Sequence, residues 1–114
     1  MAYFRASSGK SGGGGQVFNG TIYPTANYQH FDITDENGNK FQPDYVIIDF
    51  YTYEYSYTKD ANTTYVASKT AWGSGKYSGT YPGCIAPDST GFTFVAMTGS
   101  EYGNPAQVFA YKEA

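Results

Sequence analysis

Phe41–Thr58 reads FQPDYVIIDFYTYEYSYT and is the densest run of strand-forming residues in this chain of 114. Side chains of an extended strand alternate between two faces. Val46, Ile48 and Phe50 therefore share one face, and Tyr45, Ile47, Asp49 and Tyr51 the other. Both faces are largely apolar, the pattern of a strand covered on both sides, in which Asp49 needs a hydrogen bond or access to water. From Tyr51 onward, Tyr51, Tyr53, Tyr55 and Tyr57 alternate with Thr52, Glu54, Ser56 and Thr58, which predicts a half-buried strand with an aromatic row on one side. One unbroken strand from Asp44 to Thr58 would run about 50 Å at roughly 3.3 Å per residue, well beyond the usual length. A bulge or bend is therefore expected near Asp49–Thr52.

Composition sets the class. Tyr 13, Phe 8 and Gly 14 against 15% charged residues suit a single all-β domain, long enough to bury about 65% of its unfolded surface. A net charge of −3 offers no basic footprint for a nucleic-acid backbone. Cys84 is alone, which excludes an intrachain disulfide and makes the residue a small apolar side chain. MAYFRASSGK lacks the apolar core of a signal peptide, and no run approaches a membrane span, so assembly in a cytoplasm is expected, with no membrane insertion.

Residues 1–15 read as a glycine-rich arm of linker composition. Tyr3, Phe4 and Arg5 in front of its glycines are anchor candidates, pinned by a neighbouring subunit or partner. Residues 16–114 form the domain. Gln16–Tyr23 is a strand ended by Pro24; Asn27–Thr34 is the next, and Asn37-Gly38 marks a tight turn after it. Lys59–Asn62 turns the long stretch back into Thr63–Thr70, a local and entropically inexpensive pairing. Ala71–Ser89, rich in glycine, is mostly loop with one short strand around Lys76–Tyr81. Gly91–Thr98 and Gln107–Lys112 complete seven or eight strands, with Gly99–Pro105 a loop between them. No window has a helical period. The expectation is an antiparallel β-sandwich, jelly-roll-like.

Catalytic chemistry is thin. Nucleophilic catalysis needs a nucleophile, a base and an orienting group in mutual reach, and His30 and Cys84 are the sole imidazole and thiol. Asp49 and Glu54 are the carboxyl pair to consider for glycoside hydrolysis, but on a regular strand they point to opposite faces. Asp35, Asn37 and Asn39 imitate the start of a calcium loop without its closing glutamate. Gly9-Lys10-Ser11 lacks the earlier glycine and the strand of a phosphate loop. No catalytic residue, metal ligand or cofactor is assigned.

The aromatic surplus has functional reach, because flat rings stack on sugars and anchor protein interfaces. Core packing is the default for most of these rings, but a domain this small buries only part of them. Trp72, Tyr77, Tyr81 and Tyr102 in the glycine-rich loops are the binding candidates. Tyr53, Tyr55 and Tyr57 are the interface candidates, in a row that suits a subunit contact or binding face as well as it suits the core.

Phe41-Gln42-Pro43-Asp44-Tyr45-Val46-Ile47-Ile48 resembles the F-x-P-x-Y-V-x-I strand start of small β-domains in tail and receptor-binding proteins from phages and prophages of Gram-positive bacteria. Ser89-Thr90-Gly91-Phe92-Thr93-Phe94 and Val108-Phe109-Ala110-Tyr111 occupy the places of two later strands in those domains. The resemblance covers roughly residues 40–50 and 88–112, and Tyr51–Ser89 departs from it. It implies a non-enzymatic virion protein, a tail-fibre or tail-tip adhesin or accessory subunit. Such a protein forms a homo-oligomer, a trimer by preference, and contacts other virion proteins and a host-surface glycan or protein. Capsid decoration fits equally well. A carbohydrate-binding module, and a polysaccharide-degrading enzyme using Asp49 or Glu54, are the readings from other classes.

Overall fold

The length limit on a strand is met by folding the long stretch in two. The computed structural model describes residues 15–68, 78–80, 83–96 and 102–114. Within them the predicted bend is a complete reversal at Tyr51-Thr52, which splits the run into β3 (Tyr45–Phe50) and β4 (Tyr53–Thr58), paired antiparallel. Tyr51 occupies the turn with a φ of 56°, a left-handed conformation that a bulky residue rarely adopts.

The other strands are β1 (Gln16–Ile22), β2 (Gln29–Asp32), β5 (Thr63–Ser68), β6 (Ser78–Thr80), β7 (Ile85–Asp88), β8 (Gly91–Phe94) and β9 (Ala106–Lys112). Eight have four residues or more and β6 has three. All described residues lie in strands, turns or irregular chain, with no helix among them. Sheet A has the order β1-β9-β3-β4-β5-β6 and sheet B the order β2-β8-β7, every pair antiparallel. Successive strands β1, β2 and β3 alternate between sheets, as do β8 and β9, in the crossing manner of a jelly roll. The β3–β6 meander departs from that plan and fills one side of sheet A.

Alternation decides what enters the core. Val46, Ile48 and Phe50 of β3, Tyr55 and Tyr57 of β4, Val66 of β5 and Ala106, Val108 and Ala110 of β9 are buried on the inner face of sheet A. Phe92, Phe94 and Ile85 meet them from sheet B. Phe94 is the hub, its ring centroid 4.9 Å from that of Tyr55 and 5.9 Å from that of Phe50, both edge-on. Small residues on β9 face Ile22, Gly20 and Phe18 of β1, so the large Phe18 ring has room to pack on the core. The sheets are also linked by a buried hydrogen bond from the Ile85 amide to the Thr64 hydroxyl oxygen, 3.0 Å.

Several expectations change here. Gly91–Thr98 is cut to Gly91–Phe94, with Val95 and Ala96 outside the strand, while Thr63–Ser68 is strand throughout the described part of Thr63–Thr70. Ile85–Asp88, expected as loop, is a strand despite Pro87, because β7 is an edge and a proline there forfeits no ladder bond. β3 is covered on one face rather than two.

Candidate functional site

The register of sheet A places its loops at two ends. Ile22, Ala106, Phe50, Tyr53 and Ser68 lie in one row across β1, β9, β3, β4 and β5. Beyond that row the chain turns through Tyr23–Tyr28, Tyr51-Thr52 and Tyr102–Pro105. This end carries Tyr28, Tyr51 and Tyr23, exposed by 77%, 60% and 59%. Tyr28 shares the left-handed backbone of Tyr51, with a φ of 54°. Two bulky residues in this conformation, both turned to solvent, are paid for elsewhere in the fold, and such outliers concentrate at functional sites.

The scaffold of this end is hydrogen-bonded. The Tyr102 hydroxyl donates to Asn27 Oδ1 at 2.6 Å, and the Gly103 amide donates to the Pro24 carbonyl at 2.8 Å. Thr25 donates its amide to Gln29 Oε1 at 2.7 Å. Tyr102 itself is partly buried against the core, so its hydroxyl bond to Asn27 ties the Tyr23–Tyr28 loop to the core. Asp49 and Glu54 lie just inside this end as direct cross-strand partners. They share the outer face, contrary to the opposite faces expected for one regular strand, because the two-residue turn reverses the chain between them.

The opposite end is polar. Asp35 Oδ1 accepts the amides of Asn37 and Asn39 at 2.9 and 3.0 Å, and Gly38 has a φ of 83°; the suspected calcium loop is a self-satisfied turn. Gln16 donates to Asp35 Oδ2 at 3.0 Å. A second group ties the ends of β3, β4 and β9 together: Tyr45 donates to Glu113 at 2.8 Å, and Lys59 contacts Glu113 at 3.2 Å and Asp44 at 3.6 Å. The hydrogen bonds from Tyr45 and Lys59 hold the Glu113 carboxyl below its ordinary range, and the bond to Glu113 holds the Lys59 ammonium above its own.

His30 stands on the outer face of sheet B toward this polar end. Its Nε2 lies 3.0 Å from Asp88 and its Nδ1 3.4 Å from Asp32, which pairs with Lys40 at 3.1 Å. Thr90 Oγ1 is 3.2 Å from both His30 Nε2 and Asp88 Oδ1. These contacts clasp β2 to β7 across β8. Cys84 is buried in the core, its thiol pushed up by desolvation, which disfavours the thiolate form.

Of the residues singled out from sequence, Tyr102 belongs to the aromatic end. Trp72, Tyr77 and Tyr81 lie outside the described residues, as do Tyr3, Phe4 and Arg5. The interface row is corrected: Tyr55 is 0% exposed, Tyr57 is buried, and Tyr53 packs against the core. The turn at Tyr51-Thr52 sends these alternate tyrosines to the same face as Val46, Ile48 and Phe50. The outward apolar rows of sheet A are Val17, Tyr111 and Tyr45, then Phe109, Ile47 and Tyr65. The rings of Tyr45 and Tyr111 stack at 6.1 Å. Sequence reasoning missed Tyr23, Tyr28 and Tyr51 as a group; their signal was a tyrosine beside each turn.

Comparison with known proteins finds no family model that matches the chain, no similar curated protein and no similar solved structure.

Proposed function

We propose that this chain is a non-enzymatic binding subunit of a phage virion, of the tail-tip or tail-fibre adhesin kind, and that its tyrosine end takes the ligand. The observation that carries the reading is the gathering of Tyr23, Tyr28 and Tyr51, all exposed, at one end of a rigid sandwich. Tyrosine supplies large, rigid contact area at low entropic cost, which is how loop-built binding surfaces work. β1 begins at the other end, where Gln16 pairs with Lys112, so the glycine-rich arm joins the domain away from the tyrosines, which supports the reading that it attaches the domain to the particle. The strand-start resemblance around Phe41–Ile48 supplies the virion context. A cell-wall saccharide suits the exposed rings, which stack on the apolar faces of sugars.

The test is a pull-down of the full chain on Gram-positive cell walls together with a glycan array. Wild type is expected to bind a wall saccharide, and Tyr28→Ala and Tyr51→Ala are each expected to lose about tenfold or more, the usual effect of removing an anchoring ring. Absence of binding by wild type, or equal binding by both variants, overturns the reading.

A further inference from the structure

Among the described residues the two sheets have four edges, β1 and β6 in sheet A and β2 and β7 in sheet B. An edge strand offers unpaired N–H and C=O groups to any passing strand, and proteins guard against this with short strands, charges or proline. Three of the four edges are guarded. β6 is three residues long. β2 has four, including His30 and Asp32, with Lys40 ion-paired beside it. β7 has four, including Pro87 and Asp88.

β1 has none of these protections. It runs seven residues, QVFNGTI, in unbroken register with β9, and contains neither charge nor proline. In an antiparallel ladder half of its backbone groups point away from β9, and among the described residues no strand pairs with them. Asn19 and Thr21 are exposed.

We propose that β1 is an interface strand that pairs with β1 of a second copy, antiparallel about a two-fold axis at Asn19, joining two six-stranded sheets into one continuous sheet. The strand is complementary to itself. It carries no charge, so copies meet without the like-charge repulsion that disfavours such pairs. On that axis Val17 faces Thr21 of the other copy on the outer side. Phe18 faces Gly20 on the inner side, where each copy's own Phe18 ring already covers its Gly20, 2.8 Å from where a Cβ would be, so the pairing sets no second large side chain opposite Phe18. One open edge is also what a two-fold contact needs, because the same patch serves both partners. A ring of three built by strand addition would need a second open edge, and the other three are guarded. Since the copies run in opposite directions, the pair displays a tyrosine end at each extremity and can bridge two surfaces.

Light scattering on the full-length chain tests this, and it reads mass rather than ligand binding, so it succeeds or fails separately from the function proposed above. Wild type is expected at the mass of two 12.5 kDa chains, and Asn19→Lys at the mass of one, with its circular dichroism unchanged. Should Asn19→Lys fold poorly, Asn19→Cys in a Cys84→Ser background gives the second readout. Residues opposed on the axis lie about 4.5–5.5 Å apart at Cα, within disulfide range, so mild oxidation is expected to yield a linked pair. A single-chain mass for wild type up to about 1 mM, the region of very weak association, overturns the proposal. So does a three-chain mass, a two-chain mass that survives Asn19→Lys, or an Asn19→Cys variant that stays unlinked.

Discussion

The Ile85 amide and the Thr64 hydroxyl oxygen meet at 3.0 Å between the two sheets, and both residues are buried. Thr64→Val keeps the shape and removes the acceptor, leaving a buried N–H unpaired. The expected loss is about 1–3 kcal/mol, the cost of an unsatisfied buried donor. Urea unfolding at neutral pH checks it; a variant as stable as wild type would show that the bond contributes nothing net.

Phe94 holds both sheets through Tyr55 and Phe50. Phe94→Ala is expected to cost about 3–5 kcal/mol, as large-to-small changes at fully buried rings do, a large share of the stability of a domain this size. The midpoint of thermal or urea unfolding reports it. Tyr53→Phe, at a ring that is only partly buried, serves as the comparison and should change stability far less.

Two glycines separate strain from space. Gly91 has a φ of 154°, and a Cβ there would come within 2.1 Å of the Phe31 carbonyl oxygen. Gly38 has a φ of 83° and nothing within 4 Å of that position. Gly38→Ala should therefore cost only the backbone term, about 1–2 kcal/mol, and Gly91→Ala clearly more. Equal losses would contradict the close approach of β2 and β8.

Tyr51→Gly relieves a left-handed backbone at an exposed turn. Stability is expected to hold or to rise by up to about 1 kcal/mol, while ligand binding at the tyrosine end falls. Parallel denaturation and cell-wall binding assays decide; a loss of stability without a loss of binding would make Tyr51 a structural residue.

Acid should destabilise the fold through four carboxyls held below their ordinary range. Asp32 is lowered chiefly by the Lys40 hydrogen bond, Asp35 by Gln16 and the Asn39 and Asn37 amides, and Glu113 by Tyr45 and Lys59. At Asp88 burial pushes upward, but bonds from His30 and Thr90 outweigh it. A depressed native value means that the unfolded chain binds more protons in this range, so stability falls as pH falls. The contribution is complete above the ordinary carboxyl values of 3.8 and 4.5 and disappears as pH drops through the lower native ones. Melting temperatures between pH 7 and pH 2 should show this decline, shallower for Asp88→Asn.

Strand identity and the turns were legible because alternation, Asn37-Gly38 and Pro24 act locally. What sequence could not supply was which face of β4 continues β3: a two-residue turn at Tyr51-Thr52 keeps Tyr53, Tyr55 and Tyr57 with the core, whereas a regular unbroken strand would have turned them out. The same turn set Asp49 opposite Glu54. β7 was hidden because proline marks a loop unless the strand is known to be an edge, and edges are a property of the assembled sheet. The tyrosine end was half visible, as Tyr102 in a loop, while Tyr23, Tyr28 and Tyr51 are brought to it by a register that no local pattern encodes.

The glycine-rich arm joins β1 at Gln16 and the exposed tyrosines sit beyond Ile22, at the far end of the same strand. On the function proposed above, a pull between a tethered arm and a captured ligand would act along the strand axes, while ladder hydrogen bonds lie across them. The seven β1–β9 pairs must slide together under such a load rather than peel apart one by one. The arrangement resists tension best along the line from Gln16 to the tyrosine end.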